Sequence, residues 1–313
     1  MAKTRLGMTG LMKETVKDFL EDDCMDSAAA LSYYTIFSLP ALLVLILTII
    51  SAVMNPSDVR GGLEGQLQGL MGPSAGEQIR TIIQQAEQKP NSGLIPTILG
   101  ILGLLLGATG AVGQLQKALN RAWNVEPDPS QGGLKNFLLK RVFSLGMILV
   151  IAFFLLVSLV ISAALTGMGD RVNDFLPSGL SGPLLEVLNL VISLVVITLL
   201  FAALFKVMPD AKISWRSVWV GAAVTAFLFV IGKFLIGFYL GQSNPGQAYG
   251  AAGSLAVLLL WVYYSALILL FGAEFTETWA ERRGQGIEPE PGAVRVRREK
   301  QRVGPPAPSR SLP

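Results

Sequence analysis

Residues 217–279 read SVWVGAAVTAFLFVIGKFLIGFYLGQSNPGQAYGAAGSLAVLLLWVYYSALILLFGAEFTETW. Two long apolar runs flank a polar turn, Gly241 to Tyr249. Each run has the ~20 residues that a helix needs to cross a hydrocarbon core. One lysine, Lys233, interrupts the first run, and one glutamate, Glu274, closes the second. An ionisable side chain at membrane depth costs about 2.5–3.5 kcal/mol or more, so both charges require a reason. The stretch reads as a hairpin of membrane helices, and the rest of the chain repeats its pattern.

The whole chain has 313 residues, 51% of them hydrophobic and 15% charged. A soluble domain carries about 25% charged residues, and the mean hydropathy of +0.53 points the same way. There is no histidine and one cysteine, Cys24. A disulfide framework and a His/Cys zinc site are therefore excluded, and no metal or other cofactor is expected.

Six apolar spans follow from hydropathy: about 28–54, 94–114, 142–165, 184–207, 217–240 and 251–275. The fold class is all-α, a polytopic membrane helix bundle with six transmembrane helices plus amphipathic surface helices. Residues 1–27 form an amino-terminal amphipathic segment, 28–283 the transmembrane domain, and 284–313 a Pro- and Arg-rich tail expected to be disordered. In the first segment Met12, Val16, Phe19 and Leu20 share a helical face. That face suits either the membrane surface or the end of the bundle. Pro40 lies inside the first span and predicts a kink. The capping box Ser74-Ala75-Gly76-Glu77 opens an amphipathic outer helix over 74–88. Trp123, among nearby cations, reads as interfacial.

An even number of spans puts both chain ends on one side. Of the 25 Lys and Arg residues, only Arg60, Arg80, Lys89 and Arg171 fall on the opposite loops, with Lys233 inside a span. The positive-inside rule then predicts both ends in the cytoplasm.

Helix direction separates the two charges that the opening stretch invites one to pair. Spans five and six run in opposite directions, and a rise of 1.5 Å per residue puts Lys233 and Glu274 some 20 Å apart along the membrane normal. Two polar layers result. Lys233 lies at the level of Glu186 and Asn189. Glu274 lies near the inner face, where an interfacial cation is its expected partner. The functional reading is a path for a solute or ion with a polar site at each level. Snorkelling of Lys233 to the outer face and simple capping by Glu274 are the structural alternatives. Tyr33 and Tyr34 belong to an inner aromatic belt, Tyr263 and Tyr264 to mid-membrane hydrogen bonding or a cavity wall, and Tyr249 to the outer turn. No nucleophile elbow, phosphate loop or metalloprotease motif occurs, so an enzyme is not expected.

The segments AAALSYYTIFSLPALLVLI, ALNRAWN, MPDAKISWRSVWVGA, FVIGKFLIGFYLG, AYGAAGSLAVLLLWVYYS and GAEFTE, spread in order over about 13–282, resemble the YihY/BrkB family of bacterial inner-membrane proteins. The resemblance implies six membrane helices. It also carries two functional labels, ribonuclease BN and serum-resistance virulence factor. The first fits poorly, because RNA hydrolysis needs a general acid and base or metal ions at the phosphate, and nucleic acid is not an expected partner. The expected function is translocation of a small solute or lipid-like amphiphile, with membrane lipids as partners. The alternative is a non-transporting scaffold for envelope assembly.

Overall fold

A computed structural model describes residues 7–51, 110–131, 181–243 and 253–296, with isolated positions between 61 and 157. The expected outer helix at 74–88, most of the spans at 94–114 and 142–165, Tyr249 and the tail beyond 296 lie outside the described residues. Helix dominates the described part. Helix α1 is Met8–Glu21 and α2 is Cys24–Ser51. Residues 110–122 belong to α3. Helices α4 Ser181–Val207, α5 Trp215–Ser243 and α6 Gly253–Arg282 follow. Among the described residues, α4, α5 and α6 each contain a segment long and apolar enough to cross a membrane. Helix α2 is continuous across Pro40.

Antiparallel α5 and α6 touch through small residues. Thr225 Oγ1 donates to Gly221 O, and Thr276 Oγ1 donates to Gly272 O, both at 2.7 Å. Each threonine thereby turns its hydroxyl back on its own helix and leaves a compact knob. Each knob fills the space over the other helix's glycine: a Cβ at Gly221 would lie 1.8 Å from Thr276 Oγ1, and one at Gly272 would lie 1.8 Å from Thr225 Oγ1. Lipid offers no hydrophobic drive between helices, so close backbone approach of this kind supplies the van der Waals attraction instead. Further out, Tyr264 and Ile268 of α6 close on Gly232 in the same way.

Helix α6 runs to Arg282, two turns past the expected end, so Glu274 lies within the helix and not at its terminus. Gly284, at φ 69°, ends it, with Gln285 N donating to Ala280 O. This left-handed glycine cap is the usual helix stop. Helix α1 packs its Leu11, Thr15 and Phe19 side inward. The ring of Phe19 meets Phe271 of α6 edge-on at 5.9 Å, and Arg282 Nε and Nη2 both donate to Glu14 Oε2. Helix α1 is thus packed against the end of α6. The buried face differs from the expected one, since Met12, Val16 and Leu20 stay exposed.

The end of the bundle where α1, the turn after α3 and the chain beyond α6 gather is here called the base. Trp123 lies there in the core and not at an interface: it is 1% exposed and edge-on to Phe205. The exposed tryptophans of this end are Trp215 and Trp219. Two short antiparallel ladders also form. Strand β1 (Val125–Pro127) pairs with β4 (Ala293–Arg295), and β2 (Ala211–Lys212) pairs with β3 (Glu288–Pro289). The tail expected to be disordered from residue 284 thus carries two strands. Between them Ala293 N donates to Glu290 O across Pro291 and Gly292, with Gly292 at φ 94°. Pro then Gly at the two central positions is the type II turn pattern; compositional reading of a Pro-rich segment passes over it.

The Gly–Thr interlock has a direct test. Gly272→Val should destabilise the protein by about 1–3 kcal/mol, the usual cost of overpacking, read as a lower Tm in detergent. Adding Thr225→Ala should restore part of that loss, because it removes the atom the new side chain strikes.

Candidate functional site: a buried carboxyl layer at the base

Glu274 is fully buried. Its neighbour is not the expected interfacial cation. Cys24, at the first turn of α2, donates from Sγ to Glu274 Oε1 at 3.2 Å. The other oxygen, Oε2, has no hydrogen-bond partner among the described residues. Burial, and then the Glu274 carboxylate beside it, hold the Cys24 thiol far above the usual thiol range. The sulfur therefore keeps its proton and acts as a donor, as an inert buried cysteine does. One turn along α6, Glu277 is 6% exposed and accepts from Asn124 Nδ2 at 3.1 Å. Thr278 donates to Glu274 O, and Thr15 of α1 reaches Thr278 Oγ1 at 3.5 Å.

Two left-handed residues place these partners. Asn124, at φ 53°, closes α3, with its N donating to Arg121 O. Asparagine tolerates that conformation better than most residues, and here it delivers the side-chain amide to Glu277. Asp23, at φ 48°, makes the tight step from α1 to α2. Its carboxylate pairs with Arg121 of α3, which holds Cys24 at the mouth of the layer. A second node ties α3 to the turn between α4 and α5. Asp210 accepts from Gln116 Nε2 at 3.1 Å and Asn120 Nδ2 at 2.8 Å, and its own N donates to Asn120 Oδ1 at 2.8 Å. Ser214 then caps α5, accepting from Ser217 N. Lys206 donates to Ile213 O at 2.6 Å and lies over the Trp215 ring. Among the described residues no group of three His, Cys, Asp or Glu side chains is placed to hold a metal ion.

The other sequence candidates are spread out. Lys233 is partly buried on α5, on the side of the helix that carries Ala226 and Phe229, away from exposed Phe227, Ile231 and Phe238. Its Nζ lies 5.7 Å from the Phe234 ring centroid. Tyr264 packs on the adjacent Gly232. Tyr263 borders the core. Since Gly221 meets Thr276 and Gly232 meets Tyr264, Lys233 and Glu274 stand on different levels, roughly 15 Å apart along the helices. Tyr33 and Tyr34 are exposed on α2, edge-to-face with each other at 5.9 Å. The side chains of Glu186 and Asn189 lie outside the described residues. Sequence reasoning missed Cys24, Asn120, Asn124, Asp210 and Glu277 as site residues. The available signal was polar, hydrogen-bonding types inside the ALNRAWN, MPDAK and GAEFTE segments.

The profile of the family described as Virulence factor BrkB matches residues 15–297. The chain is 26% identical over 277 residues to the Bacillus subtilis protein named putative ribonuclease-like protein YfkH, covering 87% of this chain and 96% of that one. It is 32% identical over 263 residues to a UPF0761 membrane protein of Alteromonas mediterranea, covering 83% and 84%. A UPF0761 membrane protein of Teredinibacter turnerae is 29% identical over 272 residues, 86% of this chain and 60% of that protein. No solved structure matches the chain.

Asp210→Ala should strand the Gln116 and Asn120 amides and cost about 1–3 kcal/mol. Arg295→Ala, which removes an exposed partner of Glu281, should cost less than about 1 kcal/mol. Thermal unfolding of the two variants in the same detergent compares them.

Proposed function

The chain belongs to the Virulence factor BrkB family of membrane proteins, and from that premise we propose that it translocates a small solute or lipid-like amphiphile across the bacterial inner membrane. The reading takes six membrane helices, with the base in the cytoplasm. The observation that carries it is Glu274: a fully buried carboxyl group in an apolar helix, with one oxygen unpartnered among the described residues. Ionisable groups at such positions are costly to keep, and they mark substrate or ion paths. Glu274 and Cys24 form the inner polar level. Lys233 forms the outer level and contacts an anionic group of the cargo, with Tyr263 and Tyr264 on the facing helix; Glu186, Asn189 and Tyr249 are proposed to belong to the same level from the sequence alone. Its partly buried position on the Ala226 side of α5 supports that role, while its Nζ leans over the exposed Phe234 ring. Tyr33 and Tyr34 serve at headgroup level. The chain is not read as a ribonuclease. Glu274 and Glu277 are buried among packed helices, an enclosure suited to a small cargo and too narrow for the strand of an RNA.

Reconstitution into liposomes tests the proposal. Movement of fluorescently labelled phosphatidylglycerol and phosphatidylethanolamine, followed by quenching at the outer leaflet, and swelling in small-solute gradients should both be measured. We expect one of these fluxes to exceed that of empty vesicles, and Glu274→Gln and Lys233→Met each to lower it about tenfold, the scale of one lost charge-assisted hydrogen bond. Fluxes no faster than in empty vesicles would favour the scaffold reading. Unchanged flux in Lys233→Met would remove that residue from the path.

A further inference from the structure

Beyond α6 the chain does not leave the base. Residues 285–296 cross it as a strap. Ser214 and Ser217 both donate to Gln285 Oε1, at 2.8 and 3.0 Å. Ile287 follows, 3% exposed. Glu288–Pro289 then pairs with Ala211–Lys212, and Glu290 N donates to Asp210 O at 3.0 Å. After the Pro291-Gly292 turn, Ala293–Arg295 pairs with Val125–Pro127. Val296 N finally donates to Asn124 O at 2.9 Å, and Arg295 reaches back to Glu281 of α6. One short segment therefore bridges the turn after α3, the turn between α4 and α5, and the end of α6. Asn124 is the link inward. Its carbonyl holds the end of the strap, and its side-chain amide holds Glu277, one turn from Glu274 and Cys24. Helix α1 covers the same layer from the other side, through Glu14–Arg282 and Thr15–Thr278.

The strap is the weakest element of this enclosure. Its ladders are two and three residues long. Glu288, Glu290, Val294 and Arg295 are exposed, and Ile287 is its one fully buried side chain. A segment with few buried apolar contacts and exposed backbone hydrogen bonds opens at a smaller free energy than the helices beneath it. Its charged side chains are exposed and screened by salt as well: Arg295 with Glu281, and Lys212 placed opposite Glu288; the partly buried Gln285–Ser217 hydrogen bond is its neutral side-chain tie. We infer that residues 285–296 are a releasable latch: closed, as here, they seal the Glu274–Cys24 layer at the base, and their release opens that layer to water. The inference rests on the translocation reading only for what passes through. The latch itself is a statement about access.

Cys24 is the only cysteine in the chain, and at 2% exposure it is a native reporter of that access. The experiment measures the rate at which N-ethylmaleimide modifies Cys24 in the full-length protein in lipid nanodiscs, read by peptide mass. Gln285→Ala combined with Ile287→Ala should speed modification at least tenfold, with helical content by circular dichroism unchanged. A lock provides the converse. Pro127 and Ala293 face each other across β1 and β4, so Pro127→Cys with Ala293→Cys should form a disulfide on oxidation. It should slow Cys24 modification below the wild-type rate, and reduction should reverse the effect. Failure of the disulfide to form would overturn the strap pairing. An oxidised lock with wild-type reactivity at Cys24, or a loosened strap with no gain, would overturn the latch. If modification responds as expected while vesicle flux is absent, the latch stands and the translocation reading falls. If both hold, the oxidised lock should stop flux and reduction should restore it.

Discussion

The structure depends on one reciprocal contact: Gly221 under Thr276 and Gly272 under Thr225. Two antiparallel helices can approach this closely only where a side chain is missing on one and compact on the other. The four-residue spacing of glycine and threonine on both helices, run in opposite directions, satisfies that requirement twice. The threonine hydroxyls spend their hydrogen bonds on their own backbones, so neither glycine faces an unsatisfied polar group. Everything nearer the base is placed by this register. It sets Glu274 opposite the first turns of α5, and it sets Lys233 beside Tyr264 on another level.

Toward the base the logic of cohesion changes. Small-residue packing gives way to polar nodes, each joining segments distant in the chain. Asp210 gathers Gln116, Asn120 and Glu290. Asn124 gathers Glu277 and Val296. Arg121 takes Asp23, and Arg282 takes Glu14. Around them Trp123, Phe205, Met208 and Ile287 form a dry core, and the loss of water strengthens each of these hydrogen bonds. Glu274 departs from this rule of satisfaction, because one of its oxygens has no partner among the described residues. Arg121 Nε, Trp123 Nε1 and Trp279 Nε1 are also buried without a partner among the described residues, but of the four groups only the Glu274 carboxyl can both take up and release a proton, and such a group is where function is expected.

Much of the helical frame was legible before any coordinates. The runs at 184–207 and 217–240 each lie within an observed helix, and 253–275 of the third does too, because twenty apolar residues in a row have few other solutions. The errors cluster at the base. The sixth span was expected to end at about Phe275, but residues 276–282 continue the helix to Arg282. Trp123 was expected at an interface because tryptophan is common there; its surroundings in the fold make it core. The Pro-rich stretch after 284 was taken as unstructured on composition, although Pro291-Gly292 is a turn in its own right and the flanking residues find partner strands in two loops.

By itself the sequence determined that this is a membrane protein built of helices, which runs are long and apolar enough to cross, and that Lys233 and Glu274 stand on different levels. Hydrophobic length and helical rise are local quantities, readable from one segment at a time. Only the tertiary structure decided the company Glu274 keeps. Its thiol donor comes from 250 residues away, and the asparagine that holds its neighbour Glu277 from 153. The strap that crosses the base is paired with turns that precede it by scores of residues. Such contacts arise from the register of packed helices and from two left-handed turns, and no periodicity along the chain encodes them.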